Sequence, residues 1–173
     1  MRFATLGILL QDEQILLGEK KQGEIGTGKL SGPGGKIEDD ETPEECFIRE
    51  TREELVLEVD PDSLELVAYI TFYSGRTRFR LLNRILNIVC MLGSKADFGV
   101  FVFRAYIPFC QLAETDDMIP NWYPLNNLPF ERMYDGDRHW LLKAARGEKF
   151  CAKVYYRKRA KGFLKITFLP FFA

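Results

Sequence analysis

The chain has 173 residues, of which 46% are hydrophobic and 28% are charged, with 24 basic and 25 acidic side chains. This length suits one domain with a sizeable core and excludes a large multidomain machine. The composition excludes a disordered tail, and the balanced charge argues against a protein that holds nucleic acid through bulk positive charge. We therefore expect residues 1–173 to form a single domain.

The four cysteines are scattered, with no C-x-x-C pair, and the chain has one histidine, His139. This pattern predicts free thiols or small apolar core residues in a reducing compartment, and no zinc site or disulfide framework. The apolar start of the chain is interrupted by the polar stretch 11–13. No stretch reaches the roughly 20 apolar residues that a membrane span needs. We expect a cytoplasmic protein with no stable membrane association.

Hydropathy patterning predicts many strands and few helices. Strands are expected at 2–10, 14–18, 64–73, 99–108 and 122–125, with a closing hairpin of 153–156 and 164–169. Helices are expected at 43–56 and 137–145. The first begins with Thr42 as N-cap, proline at the first helical position and glutamate at the third, which is a capping box. Because the strands and helices do not alternate regularly, we expect an α+β sandwich.

Residues 74–98 fit neither pattern. Apolar side chains recur there at intervals of three and four, at Phe79, Leu82, Ile85, Leu86 and Val89. The spacing predicts an inserted helix or an extended hairpin that packs on the domain or forms a homodimer contact with a second subunit. Contact with a membrane surface or with RNA stays open, because a basic amphipathic helix suits either.

Three glutamates share one face of the first predicted helix, since Glu50, Glu53 and Glu54 are three and four residues apart. Like charges so close repel, and a divalent cation relieves the repulsion. An all-oxygen donor set suits Mg²⁺, with Mn²⁺ as the alternative, better than zinc. Because Mg²⁺ also takes water and phosphate oxygens, the cluster indicates phosphoryl transfer to water. Taken alone, the glutamates equally suit a solvated acidic face.

The spacing of this stretch resembles the Nudix box, G-x5-E-x7-R-E-U-x-E-E-x-G-U, in which U is aliphatic. The matching residues are Gly35, Glu41, Arg49, Glu50, Glu53, Glu54 and Leu57. Thr51 stands where an aliphatic residue is usual, and Val56 stands where glycine is usual. We expect Thr51 to face the core and weaken its packing. Because Val56 is not glycine, the end of the helix can shift by a few residues, and such a shift would change the direction in which the Glu53 and Glu54 side chains point.

The resemblance implies a Nudix-type α/β/α sandwich with a mixed sheet, and it implies roles for the residues of the box. The residues that would hold the metal or activate water are Glu50, Glu53, Glu54, Gly34 and Gly35. Arg49 would pair with an acidic neighbour, Glu41 being the expected partner, and hold the angle between loop and helix. Lys36 is placed for a phosphate contact.

Outside the box, the chain is similar to the MutT-homologue branch of the family, the 8-oxo-dGTP diphosphatases. The matching stretches are 15–21, 30–36, 116–122 and 128–140. In that branch an acidic residue adds a metal or water contact, which falls on Asp117. The positions of the purine pocket fall on Thr5, Ser31, Phe72, Tyr134, Asp135 and Asp137. Ser31 replaces an asparagine, and Gly136 interrupts the aspartate pair.

The resemblance therefore implies a Mg²⁺-dependent diphosphatase that converts a nucleoside triphosphate into a monophosphate and pyrophosphate, with oxidised purine nucleotides favoured. An alternative is removal of pyrophosphate from RNA 5′ ends, or cleavage of dinucleoside polyphosphates. The basic segments 76–84 and 157–161 would then supply a surface that binds the phosphates. A third hypothesis is a nucleotide-binding regulator without turnover. Retention of all three helix glutamates argues against it, because a pure binder does not need a repulsive metal cluster.

Overall fold

The computed structural model describes residues 2–22, 26–75, 96–108 and 110–172. Most of the segment 74–98 lies outside these ranges, and so do the helix or hairpin and the homodimer contact predicted for it. The three cysteines within the described ranges, Cys46, Cys110 and Cys151, carry free thiols. The fourth cysteine, Cys90, lies outside these ranges.

Among the described residues, eight strands form one mixed sheet. They are β1 (Arg2–Gln11), β2 (Gln14–Lys20), β3 (Leu30–Ser31), β4 (Glu65–Ser74), β5 (Phe98–Tyr106), β6 (Met118–Pro124), β7 (Phe150–Lys158) and β8 (Lys161–Leu169). Their order is β3-β2-β1-β5-β4-β7-β8, and β6 pairs with β2. The pairs β1–β5 and β4–β7 are parallel, and the other pairs are antiparallel. The predicted strands are all present, and the short β3 is an addition.

The helical elements of the described part are α1 (Pro43–Leu55), α2 (Leu141–Ala145) and the 3-10 turns Pro61–Ser63, Phe130–Arg132 and Asp137–His139. The helix predicted over 137–145 is therefore wrong in its first half. Residues 137–139 form a 3-10 turn instead, in which the Trp140 N–H donates to Asp137 O at 3.1 Å, and the non-helical φ of −131° at Trp140 separates this turn from α2. Within the described ranges, none of the helices has the length and apolar character that crossing a membrane requires.

Two apolar clusters cover the two faces of the sheet. Side chains alternate along a strand, so Ile8 of β1 faces one cluster and Leu9 faces the other. Phe47 of α1 packs in the Leu9 cluster, with its ring stacked 5.5 Å from Phe103. Trp140, which is 1% exposed, and α2 pack in the Ile8 cluster. The α/β/α sandwich with a mixed sheet is confirmed.

The loop after β3 takes the place of a strand beside β1. Thr5 N–H donates to Gly35 O at 2.8 Å, and Gly7 N–H donates to Pro33 O at 2.7 Å. A Cβ on Gly34 would lie 2.3 Å from Thr5 O, and the φ of Gly34 is 146°. Only glycine fits there without a backbone shift. The loop therefore lies in the plane of the sheet, where its glycines face Glu50 and Glu54 of α1.

Both ends of α1 are defined by their own residues. Thr42 Oγ1 accepts the Glu45 N–H at 3.2 Å, and Thr42 N–H donates to Glu45 Oε2 at 2.8 Å, which confirms the predicted capping box. At the other end, Val56 adopts the left-handed conformation with φ 56° and ψ 35°. The helix end has therefore not shifted, and the box keeps its register with valine in the place of glycine.

Replacing Val56 with glycine should stabilise the protein by about 0.5–1 kcal/mol. A β-branched residue in the left-handed region is strained, and glycine removes a cost of roughly 1–2 kcal/mol while adding roughly 0.5–1 kcal/mol of chain entropy. Val56 is 67% exposed, so little packing is lost. Denaturant unfolding of Val56→Gly measures the effect, with Val56→Ala as the control that keeps the Cβ. A less stable glycine variant would contradict the assigned strain.

Thr51 offers a second stabilising change. Its side chain is fully buried against the core, as predicted, and within the described part of the chain its Oγ1 has no hydrogen-bond partner. A buried hydroxyl without a partner costs about 1 kcal/mol or more, so Thr51→Val should raise the free energy of unfolding by about 1 kcal/mol. Thermal unfolding should show a rise of roughly 2–4 °C. Thr51→Ser keeps the hydroxyl and should lower stability instead; an equal gain with serine would disprove the explanation.

Candidate active site

Arg49 is the centre of the polar network on α1. Its guanidinium donates two hydrogen bonds to Glu41, at 2.8 and 3.1 Å, and one each to Glu50 at 3.0 Å and Glu53 at 3.1 Å. A fifth hydrogen bond goes to the carbonyl of Lys36 at 3.3 Å. One side chain therefore joins the loop before the helix to two of the three clustered carboxylates. The predicted pairing of Arg49 with Glu41 is present.

The two hydrogen bonds to Arg49 fix the charge of Glu41. They lower the pKa of its carboxyl from 4.5 to about 2, so the group is ionised at neutral pH. Glu41 Oε1 also accepts the Glu38 N–H at 2.7 Å, which closes the turn of the loop. Glu41 thus acts on the loop and on Arg49 rather than facing a cleft.

Glu54 and Glu50 both reach the glycine loop. Glu54 is buried, its Oε2 accepts the Gly34 N–H at 2.9 Å, and its Oε1 lies 3.4 Å from Lys20 Nζ. A Cβ on Gly35 would lie 2.1 Å from Glu50 Oε1, so this carboxylate occupies the space that a side chain would fill. Burial raises the pKa of both carboxyls. The sequence prediction missed Lys20, whose distance from α1 along the chain gave no local signal.

The oxygen atoms of Glu50 and Glu54 are ligands of the kind that a hard cation such as Mg²⁺ prefers. Both carboxylates lie against Gly34 and Gly35, which have no side chains to fill the space beside the backbone. Among the described residues, no three histidine, cysteine or acidic side chains stand grouped as a ready metal site. Arg49 and Lys20 supply the positive charge beside these oxygens. A bound cation would neutralise the same carboxylates.

Glu53 points away from the loop into an open cleft. Its side chain is 56% exposed, and it lines a cavity of about 630 Å³ together with Asp117. The other lining residues are Lys21, Val56, Glu114, Thr115 and Asp116. The amide of Gln22 donates to Asp117 Oδ1 at 2.6 Å, and Lys21 Nζ donates to Glu114 at 2.8 Å. The two residues that follow β2 therefore hold the loop 114–117. The structure thus brings Asp117 to the same cleft as Glu53.

The aromatic and acidic residues predicted for base binding lie on the sheet face opposite α1. Tyr134 packs over the loop before β3, since a Cβ on Gly26 would lie 1.9 Å from its hydroxyl. Asp137 is buried beside it, and burial raises the pKa of its carboxyl to about 7. Phe72 lies on this face in a stack with Phe98 at 5.1 Å. These groups can present a ring surface and a carboxyl that either accepts or donates.

The remaining predicted residues lie apart from this group or have local partners. Thr5 is on the α1 face, buried with its Oγ1 3.4 Å from Cys46 Sγ, because odd-numbered positions of β1 face the helix. The Ser31 hydroxyl donates to Gly32 O at 2.7 Å, and Asp135 Oδ2 accepts the Gly162 N–H at 3.1 Å. Lys36 lines a smaller cavity of about 330 Å³ with acidic residues of the loop. Thr5 is thus not brought to the Tyr134 side.

The chain is similar to known proteins in both sequence and fold. The NUDIX domain family matches residues 1–144. A Mus musculus protein named oxidized purine nucleoside triphosphate hydrolase is 32% identical over 156 residues, which cover 90% of this chain and 87% of that protein. An RNA pyrophosphohydrolase of Marinomonas sp. (strain MWYL1) is 36% identical over 85 residues, 48% of this chain and 47% of its own. The MutT protein from Bacillus halodurans has the same fold, with a TM-score of 0.71, 20% identity and 97% of both chains covered.

The bond between Glu41 and Arg49 makes stability depend on pH in a defined window. The pKa of Glu41 is lowered from 4.5 to about 2, so the unfolded chain binds this proton more readily, and the stabilisation disappears as the pH falls from 4.5 towards 2. At pH 7, Glu41→Gln should cost about 1–2 kcal/mol. In urea unfolding at several pH values, the gap between the two proteins should narrow in acid. Asp39→Asn, an exposed loop control, should show no such gap, and a gap independent of pH would contradict the assignment.

Proposed function

Because this chain belongs to the Nudix hydrolase family, we propose that it is a magnesium-dependent nucleoside triphosphate diphosphatase, which releases a monophosphate and pyrophosphate. The observation that carries the proposal is the convergence of Glu50 and Glu54 on the glycine loop, with Arg49 bound to Glu41, Glu50 and Glu53 at once. This arrangement places carboxylates, a backbone without side chains and an open cleft side by side. Such a set is what metal-assisted attack of water on a phosphate needs.

We assign Mg²⁺ binding to Glu50 and Glu54, with Gly34 and Gly35 leaving room for the ion beside the backbone. When bound, the ion would neutralise phosphate charge and lower the pKa of a water. Glu53 is proposed as the base that takes the proton from the attacking water, because it is the exposed glutamate of the cluster. Asp117 assists it from across the cleft, and Lys36 contacts a phosphate.

Oxidised purine nucleotides such as 8-oxo-dGTP are the proposed substrates. The support is the name of the mouse relative and the group of Tyr134, Asp137 and Phe72 on one face of the sheet. Tyr134 would stack on the base, and the Asp137 carboxyl would read its edge. Ser31 and Asp135 are included as neighbouring contacts, whereas Thr5 faces α1 and is proposed only to hold the loop through its backbone. The free thiols favour a reducing, cytoplasmic location.

Removal of pyrophosphate from RNA 5′ ends is the second candidate function. It is favoured by the partial match to the Marinomonas RNA pyrophosphohydrolase and by the charge of the C-terminal hairpin. Residues 150–173 contain six lysines and arginines and no acidic residue. A surface of this charge would attract a phosphate backbone, and its effect would weaken with salt.

Glu53→Gln should reduce Mg²⁺-dependent hydrolysis at least about 100-fold, because a general base typically contributes 10²–10⁴-fold. Fold and stability should stay close to those of the wild type, since the side chain is exposed in the cleft. The measurement is the rate of pyrophosphate release under saturating Mg²⁺, with circular dichroism as a check on folding. Glu44→Gln, an exposed glutamate of the same helix, is the matched control. Turnover near the wild-type rate in Glu53→Gln would overturn its assignment as the base.

A further inference from the structure

The loop that carries Tyr134 and Asp137 is held from behind by the β7–β8 hairpin. Gly136 N–H donates to the Tyr156 hydroxyl at 3.2 Å in a buried hydrogen bond. On its neighbour, Asp135 Oδ2 accepts the Gly162 N–H at 3.1 Å. The two bonds tie the two central residues of the loop to two different strands, β7 and β8.

The contact leaves the loop little freedom. A Cβ on Gly136 would lie 2.5 Å from the Tyr156 hydroxyl oxygen, so the hydroxyl packs directly against the loop backbone. The Tyr156 ring is buried and stacks on Phe72 at 6.3 Å. Phe163 of β8 meets Tyr156 edge-on at 6.2 Å and stacks on His139 at 4.4 Å. The hairpin therefore supports the loop with both hydrogen bonds and rings.

The loop itself has little regular structure that would fix it. Asp137 begins a single 3-10 turn, and its carboxylate bonds to the Tyr134 N–H. This local bond closes the loop but does not set where the loop stands on the sheet. Only an external anchor can do that, and Tyr156 supplies a buried one. The hairpin lies beyond residues 1–144, the range that the family match covers.

We propose that Tyr156 is a positioning residue for nucleobase recognition, whose hydroxyl holds the 134–137 loop so that Tyr134 and Asp137 meet a purine. This inference rests on the proposed function. In this proposal the β7–β8 hairpin contributes to selectivity for the base, whereas the glutamates of α1 act on the phosphates. Burial and the neighbouring Asp137 carboxylate raise the pKa of Tyr156, so the hydroxyl stays protonated and neutral.

The test is Tyr156→Phe, which removes only the hydroxyl oxygen. Steady-state kinetics with 8-oxo-dGTP, dGTP and dCTP should show a rise in KM of about 5- to 10-fold for the purine nucleotides, because one buried hydrogen bond is lost. The kcat should stay within about two-fold, since the bond supports binding at a distance from the phosphates. The KM for dCTP should not change, so selectivity for purines falls. Tyr155→Phe is the matched control, because its ring stacks on Tyr73 on the other face of the sheet.

The outcomes separate this proposal from the proposed function. If the wild type does not prefer purines, the proposed function fails. If it does prefer them and Tyr156→Phe keeps every KM, or loses kcat equally for all three nucleotides, the positioning role is wrong. Hydrogen exchange of the backbone amides in residues 134–137 gives a second readout for a variant of low stability. Exchange should become faster there in Tyr156→Phe and not in Tyr155→Phe, and unchanged exchange would overturn the proposal.

Discussion

The structure around the site depends on one guanidinium. Residues 38–62 contain twelve acidic and two basic side chains, and one of those bases, Arg49, contacts three of the acids. Its bonds to Glu41 and to Lys36 O hold the loop against α1, and its bonds to Glu50 and Glu53 offset the repulsion between the clustered carboxylates. The hydrogen bonds that Arg49 donates to Glu41 are the largest cause of its raised pKa. The charge that a metal would later supply is thus partly provided by the protein.

The Arg49 network and the residues proposed to bind the base lie on opposite faces of the sheet. Because the loop lies in the plane of the sheet, beside β1, it separates the α1 glutamates from the face that carries Tyr134 and Asp137. In the proposed function, phosphates bind at the α1 side of this loop and the base binds at the other. The near-neutral total charge of the chain therefore conceals two distinct regions, an acidic one around α1 and a basic one in the hairpin.

Features with local causes could be predicted from the sequence, and features with distant causes could not. The capping box at Thr42 follows from spacing at the start of one helix. The pairing of Arg49 with Glu41 and the burial of Thr51 are expected from the resemblance to the Nudix box, which lies within that helix and its preceding loop. The side to which Thr5 points depends on which face of β1 receives α1, and sequence spacing does not reveal that choice. The Lys20–Glu54 contact and the anchor on Tyr156 join residues far apart in the chain, so no local pattern marked them. Whether the α1 glutamates bind a metal stays a prediction.

A substrate panel of 8-oxo-dGTP, dGTP, triphosphorylated RNA and a nucleotide sugar, assayed with and without Mg²⁺ and with identification of the products, tests the proposed activity. The proposed function predicts that 8-oxo-dGTP has the highest kcat/KM, that pyrophosphate and the monophosphate are its products, and that chelation of Mg²⁺ abolishes turnover. Highest efficiency with RNA would contradict the substrate and favour the second candidate. Hydrolysis that continues without any divalent metal would contradict the role given to the glutamates of α1.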